Sequence, residues 1–184
     1  MSVKQGLMGY QRFLKGDNAG LEETVRFYSD ALVRFAHRYV NDSATAEDIM
    51  EDAFVALILK RKRFDHEEQL RAYLYKTVRN KCLTHLRGQK HLASLFDHAE
   101  KLVGGSVENE LLQKERDRAV RAALDTLPKH YEEVLILSYY NGLNVQELCD
   151  ALGKKEKQVY NLISRARLAL KKALTEKGVL YENV

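Results

Sequence analysis

The stretch from Leu127 to Leu174 restricts the fold more than any other part of the chain. It opens on Leu127-Pro128, the only proline, and continues in an apolar-periodic run from Val134 to Tyr140 that Asn141-Gly142 stops. A short amphipathic segment, Val145 to Leu152, comes next; Gly153 breaks it, and a second segment runs from about Glu156 to Leu174. Two short helices split by a tight glycine-containing turn predict a helix-turn-helix. Val145, Leu148, Cys149 and Leu152 fall on one apolar face, and Val159, Ile163, Ala166 and Leu170 form the stripe of the second helix. The other side of that helix carries Lys155, Lys157, Gln158, Tyr160, Asn161, Ser164, Arg165 and Arg167. Such side chains donate to phosphates and base edges, and a helix fits the major groove of DNA. A helical hairpin with a solvated basic face is the competing reading, and this stretch alone leaves both open.

The rest of the chain is helical in pattern as well. Strand signals are poor, with no period-two run punctuated at both ends. A short helix is predicted up to Gly16, with Asp17 or Asn18 capping the next. From Leu21 to Val40, Val25, Phe27, Tyr28, Leu32, Phe35, Ala36 and Tyr39 recur at helical spacing. After the turn at Asn41-Asp42-Ser43, a helix is expected over about 45–62, with Ile49, Ala53, Leu57 and Ile58 inward and Phe54 alongside. Its early residues are acidic (Glu47, Asp48, Glu51, Asp52) and its end is basic, Lys60 to Arg63. The helix dipole accounts for that polarity; a positively charged protein partner for Asp48, Glu51 and Asp52 is the sharper alternative. A loop or cap is expected at Phe64–Gln69, then a helix from Leu70 to about Lys90.

Charge separates the chain into parts. From Lys60 to Lys90 there are ten Lys/Arg against three acids, net +7, with Phe64, Tyr73 and Tyr75 interleaved. Basic residues neutralise phosphate, and aromatic faces stack unpaired bases. Residues 91–112 reverse the sign, lose periodicity and contain Gly104-Gly105, which reads as a linker. Helix resumes over 111–127, and Lys154 to Lys177 carries net +6. The domain expectation is therefore 1–90, linker 91–112, 113–178, and a frayed tail 179–184. The fold class is all-α: two small helical domains joined by a linker, the second a helix-turn-helix like a winged helix without the wing.

Several function classes find no support. There is no Gly-rich phosphate loop, metal-ligand spacing or Ser/His/Asp grouping, and the six histidines are scattered. No enzyme activity and no cofactor are expected. Cys82 and Cys149 read as small core fillers of a reducing compartment. With no run of 18 apolar residues and no signal-peptide core, membrane insertion is not expected, and a cytoplasmic location is.

These segments together resemble the extracytoplasmic-function group of the bacterial sigma-70 family. The first half contributes Ala46-Glu47-Asp48-Ile49, Asp52-Ala53-Phe54, Arg63-Phe64-Asp65, Leu70-Arg71-Ala72-Tyr73-Leu74 and Arg79-Asn80. The second contributes Leu127-Pro128, Tyr140-Asn141-Gly142-Leu143, Glu147-Leu148, Ala151-Leu152-Gly153, and Val159 with Arg165-Ala166-Arg167. The order and spacing of these words are more specific than any one of them.

The resemblance implies a transcription initiation factor that directs core RNA polymerase to promoters. Asp48, Glu51, Asp52 and Phe54 would dock on the beta-prime clamp helices, with the beta subunit also in contact. Arg63, Phe64, Arg71, Tyr75, Lys76, Arg79, Asn80 and Arg87 would open and read the minus-ten element, with a flipped base held in a loop pocket. The eight polar residues of the second helix would read the minus-thirty-five element. An anti-sigma factor would be a further partner. Leu162 stands where the family often has a basic residue. The rival to this reading is a helix-turn-helix regulator whose first half is a sensor or dimerisation module.

Overall fold

The computed structural model describes residues 5–95 and 113–176, with side chains over 5–89 and 119–176. Most of the expected linker, 96–112, and the expected tail lie outside the described residues. The chain divides into two compact units, Met1–Gly104 and Gly105–Val184.

The first unit holds α1 (Gln5–Leu14), α2 (Asn18–Val40), α3 (Ser43–Lys60) and α4 (Glu67–Leu95). Asp17 caps α2 by accepting from the Ala19 N–H, and Asp42 caps α3 by accepting from the Thr45 N–H at 2.7 Å. Each satisfies an amide that a helix start leaves without a partner. Leu32, Phe35, Ala36, Ala53, Leu57, Leu70, Leu74, Val78 and Cys82 fill the centre. The Phe35 ring meets the edges of Tyr39 and Tyr75 at 5.3 and 5.2 Å.

Helices α1 and α2 cross on glycine. Gly9 and Gly20 are so close that a Cβ on Gly9 would stand 2.6 Å from the Gly20 carbonyl oxygen. Thr24 is fully buried there, and its hydroxyl lies 2.8 Å from the carbonyl of Gly20 and 3.1 Å from that of Gly6. Phe27, expected inward, is exposed instead, because the inward turn of α2 belongs to Thr24 and Tyr28.

Two element bounds differ from expectation. Helix α4 begins at Glu67 and runs to Leu95, so the first five residues of the expected linker are helical. Helix α3 stops at Lys60, where Arg61 takes a left-handed conformation (φ 44°) and donates its N–H to the Leu57 carbonyl. Arg61 to Arg63 therefore belong to the turn that follows.

The second unit holds α5 (Gln113–Leu124), α6 (Lys129–Leu135), a π-helical turn (Ile136–Tyr140), α7 (Val145–Leu152) and α8 (Glu156–Glu176). Ala123 of α5 packs on Ala173 and Leu174 of α8, with Val120, Leu127 and Leu170 around them. Val134 and Leu137 meet Leu148, Ala151, Val159 and Ala166 in the core of the unit. The π turn closes through the Asn141 N–H donating to the Ile136 carbonyl at 2.9 Å.

Candidate nucleic-acid and protein interfaces

The helix-turn-helix is α7, a turn, and α8. Asn144 caps α7 by accepting from the Glu147 N–H at 3.0 Å, while the Glu147 carboxylate accepts from the Asn144 N–H at 2.7 Å. This reciprocal box fixes the start of the helix. At the other end Gly153 sits at φ 65° and donates its N–H to the Cys149 carbonyl. A side chain at that φ is strained, so glycine permits the sharp turn into α8. Val159 and Ala166 then face inward, with Ile163 and Leu170 half-buried beside them.

That burial leaves the opposite side of α8 outward. Lys155, Lys157, Gln158, Tyr160, Asn161, Ser164, Arg165 and Arg167 are all exposed. Leu162 differs from them. It is half-buried and lines a cleft of about 330 Å³ with His130 and Tyr131 of α6 and Gln158, Asn161 and Arg165 of α8. Leu162 therefore serves the junction of α6 and α8, and sequence reading had set it on the outward side.

In the first unit the basic surface lies along α4. Lys76, Asn80, Thr84 and Arg87 are exposed at steps of four, four and three, which is one helical stripe. Arg79 flanks it half-buried, and Arg63 stands exposed in the preceding turn. Three members of the expected minus-ten set are placed elsewhere. Phe64 is buried among Tyr10 and Tyr73, with ring centroids at 5.9 and 5.5 Å. Tyr75 is buried on Phe35. Arg71 is half-buried on the far flank of α4, and its charge acts on the Tyr28 hydroxyl. Core packing took these aromatics, since neither ring can stack a base while 5% exposed or less.

The acidic face of α3 gains definition. Asp48, Glu51 and Asp52 are exposed, and Asp52 pairs with Lys81 of α4 at 2.8 Å. No acid occupies the first turn of α3. The helix dipole acts on the first turn, so it does not account for these three. Phe54, expected beside them, is buried and belongs to the core. The exposed stripe continues instead as Val55 and Leu59, the latter 77% exposed. Sequence reasoning missed both, although their spacing from Asp48 and Asp52 is the helical repeat.

A buried acid is a further surprise. Glu67, read as part of a loop, is 5% exposed. Its carboxylate accepts from the Leu7 N–H at 2.7 Å and from the Tyr28 hydroxyl. Burial, then the Glu67 contact, push the Tyr28 hydroxyl pKa far above its ordinary value.

Comparison with known proteins follows the same division. The Sigma-70 region 2 family model matches residues 24–92, and the Sigma-70 region 4 model matches residues 117–170. The chain is similar to the ECF RNA polymerase sigma factor SigM of Bacillus subtilis (strain 168), with 26% identity over 160 residues, 86% of this chain and 97% of the relative. It is likewise 26% identical over 176 residues to the RNA polymerase sigma-H factor of Pseudomonas aeruginosa, covering 89% of this chain and 91% of that one. The fold matches CnrH, solved in complex with the cytosolic domain of CnrY. There the TM-score is 0.65 at 22% identity, over 94% of this chain and 98% of that one. It also matches the sigma factor RpoE, solved with the anti-sigma factor NepR from Bartonella quintana. That match has a TM-score of 0.64 at 21% identity, over 84% and 96% of the two chains. With both regions present in order on the two helical units, the chain belongs to the sigma-70 family of RNA polymerase sigma factors, in its extracytoplasmic-function group.

Proposed function

We propose that the three exposed faces divide the work of promoter-directed initiation. Asp48, Glu51 and Asp52, extended by Val55 and Leu59, meet the beta-prime clamp helices of core polymerase. Arg63, Lys76, Arg79, Asn80 and Arg87 contact the minus-ten element, the cations on phosphate and Asn80 within reach of base edges. The eight exposed residues of α8 read the minus-thirty-five element in the major groove, where Arg165 and Arg167 neutralise phosphate and Gln158 and Asn161 suit base edges. The factor makes and breaks no bond itself; it works in the cytoplasm, where polymerase and promoters are. An anti-sigma factor is proposed as a regulator, because the two solved relatives were each captured with a protein partner, NepR or CnrY.

The observation that carries this reading is the acidic-then-apolar stripe on α3, outside the first turn and left exposed by the fold. A regulator whose first unit is only a sensor gives that stripe and the basic stripe on α4 no task. The test is charge reversal, Asp48→Lys with Glu51→Lys, in the full chain. Affinity for core polymerase is expected to collapse while binding of duplex DNA by the second unit stays at the parent level. Undiminished core binding would remove α3 from the polymerase interface.

A further inference from the structure

Helix α1 ends at Leu14, ahead of the segment that the region 2 model matches. Its contacts nevertheless converge on one place, the turn between α3 and α4. At the start of that turn the Arg61 guanidinium lies over the Phe13 ring at 5.4 Å and donates to the Leu14 carbonyl at 3.1 Å. In the middle the Tyr10 ring packs on Phe64. At the end the Leu7 N–H donates to Glu67. Between these anchors Lys62, Arg63, Asp65 and His66 stand exposed.

Glu67 is the firmest of the anchors. It lies in the first turn of α4 and faces the first turn of α1, whose Leu7 amide has no partner within its own helix. A carboxylate there is favoured by two helix starts at once. The Tyr28 hydroxyl supplies a second donor, so a buried charge that would otherwise be costly is satisfied on both oxygens.

We propose that α1 is a positioning strut for the minus-ten loop, with Glu67 as its joint: the helix contacts no DNA, yet it sets where Arg63, Asp65 and His66 are held. The inference rests on the reading of this loop as the minus-ten reader. Rigid support behind a recognition loop sharpens discrimination, because a loose loop accommodates a wrong base by moving.

The test uses the full chain assembled with core polymerase, on a promoter recovered with the parent holoenzyme and then randomised across the minus-ten and minus-thirty-five elements. Glu67→Ala is expected to lower the preferred-to-next base ratio at minus-ten by roughly threefold to tenfold, the scale of one charge-assisted hydrogen bond. Minus-thirty-five preference and core affinity should stay at the parent level, and Glu67→Gln, which keeps size and hydrogen bonding, should restore most of the loss. Should Glu67→Ala fail to fold, Tyr28→Phe keeps the ring and drops one donor, and the same change at smaller size is expected. Unchanged minus-ten preference in a folded Glu67→Ala or Tyr28→Phe holoenzyme overturns the strut, as does a parallel loss of minus-ten, minus-thirty-five and core binding. Arg63→Ala and His66→Ala separate the two ideas. If they alter minus-ten preference and the Glu67 variant does not, the strut alone fails; if they leave it unchanged, the loop reading fails and the strut with it.

Discussion

The crossing of α1 and α2 permits a sharp stability prediction, because one substitution should have opposite signs at two glycines. In Gly9→Ala the new Cβ would stand 2.6 Å from the Gly20 carbonyl oxygen and 2.7 Å from the Thr24 hydroxyl. Comfortable carbon contacts are about 3.5–4 Å, and the carbonyl is backbone that cannot rotate away. Overpacking of this kind costs about 1–3 kcal/mol. Moving the Thr24 hydroxyl aside forfeits a further ~1 kcal/mol from its bond to the Gly20 or Gly6 carbonyl. Alanine's better helix propensity returns about 1 kcal/mol. The net is a loss of about 2 kcal/mol for Gly9→Ala. Gly88 in α4 is exposed, and a Cβ there meets nothing within 4 Å. Only the propensity remains, so Gly88→Ala should gain about 1 kcal/mol. Hydrogen exchange of the full chain, followed amide by amide along α2, reads the first unit without interference from the second. Protection should fall about thirtyfold in Gly9→Ala and rise about fivefold in Gly88→Ala, at ~1.4 kcal/mol per decade. A Gly9→Ala chain as protected as the parent, or a destabilised Gly88→Ala, would refute the steric argument.

Other expectations concern the cap, the DNA face and acid stability. Asn144→Ala removes one arm of the box at α7 and should lower the stability of the second unit by about 1 kcal/mol, with weaker duplex binding in parallel; calorimetry and a binding titration check both. Arg165→Ala should weaken DNA binding similarly across sequences and reduce the salt slope by about 1; an unchanged slope takes Arg165 off the phosphate. The Asp42 carboxyl is held below its ordinary pKa, chiefly by its hydrogen bond with Thr45. An unfolded Asp takes its proton near pH 3.9 while the folded one is still ionised, so the stabilisation is complete above that pH and fades as pH falls through the lower folded value. Asp42→Asn, which caps without titrating, should flatten that part of the acid unfolding curve.

Local chemistry was readable from the chain wherever it acts over a few residues. Asp17, Asp42, the turn at Gly153 and the eight outward positions of α8 all follow from spacing and capping rules. What escaped depends on partners far along the sequence. Glu67 reads as a surface acid until Leu7 and Tyr28 are folded against it. Gly20 reads as punctuation, although it is where two helices touch. Phe64, Tyr75 and Phe54 illustrate a different limit. An aromatic in a basic stretch has the same signature whether it stacks on bases or fills the core, and only the packing of Tyr10, Phe35 and Tyr73 around them decides. The acids of α3 went the other way, since their meaning depended on a helix start that fell four residues before Glu47.

The π-helical turn from Ile136 to Tyr140 has a consequence for how this chain tolerates change in length. It holds one residue more than an α-helical turn, with the Asn141 N–H reaching back five residues to Ile136. Each helical residue rotates the chain by about 100°. Losing one residue here would let the segment relax into an ordinary helix, and the deficit would emerge as a rotation of everything that follows. The Asn144 cap, the Gly153 turn and α8 would all be aimed elsewhere. Substitutions in this turn change a surface, whereas a single deletion changes which side of the reading helix faces DNA.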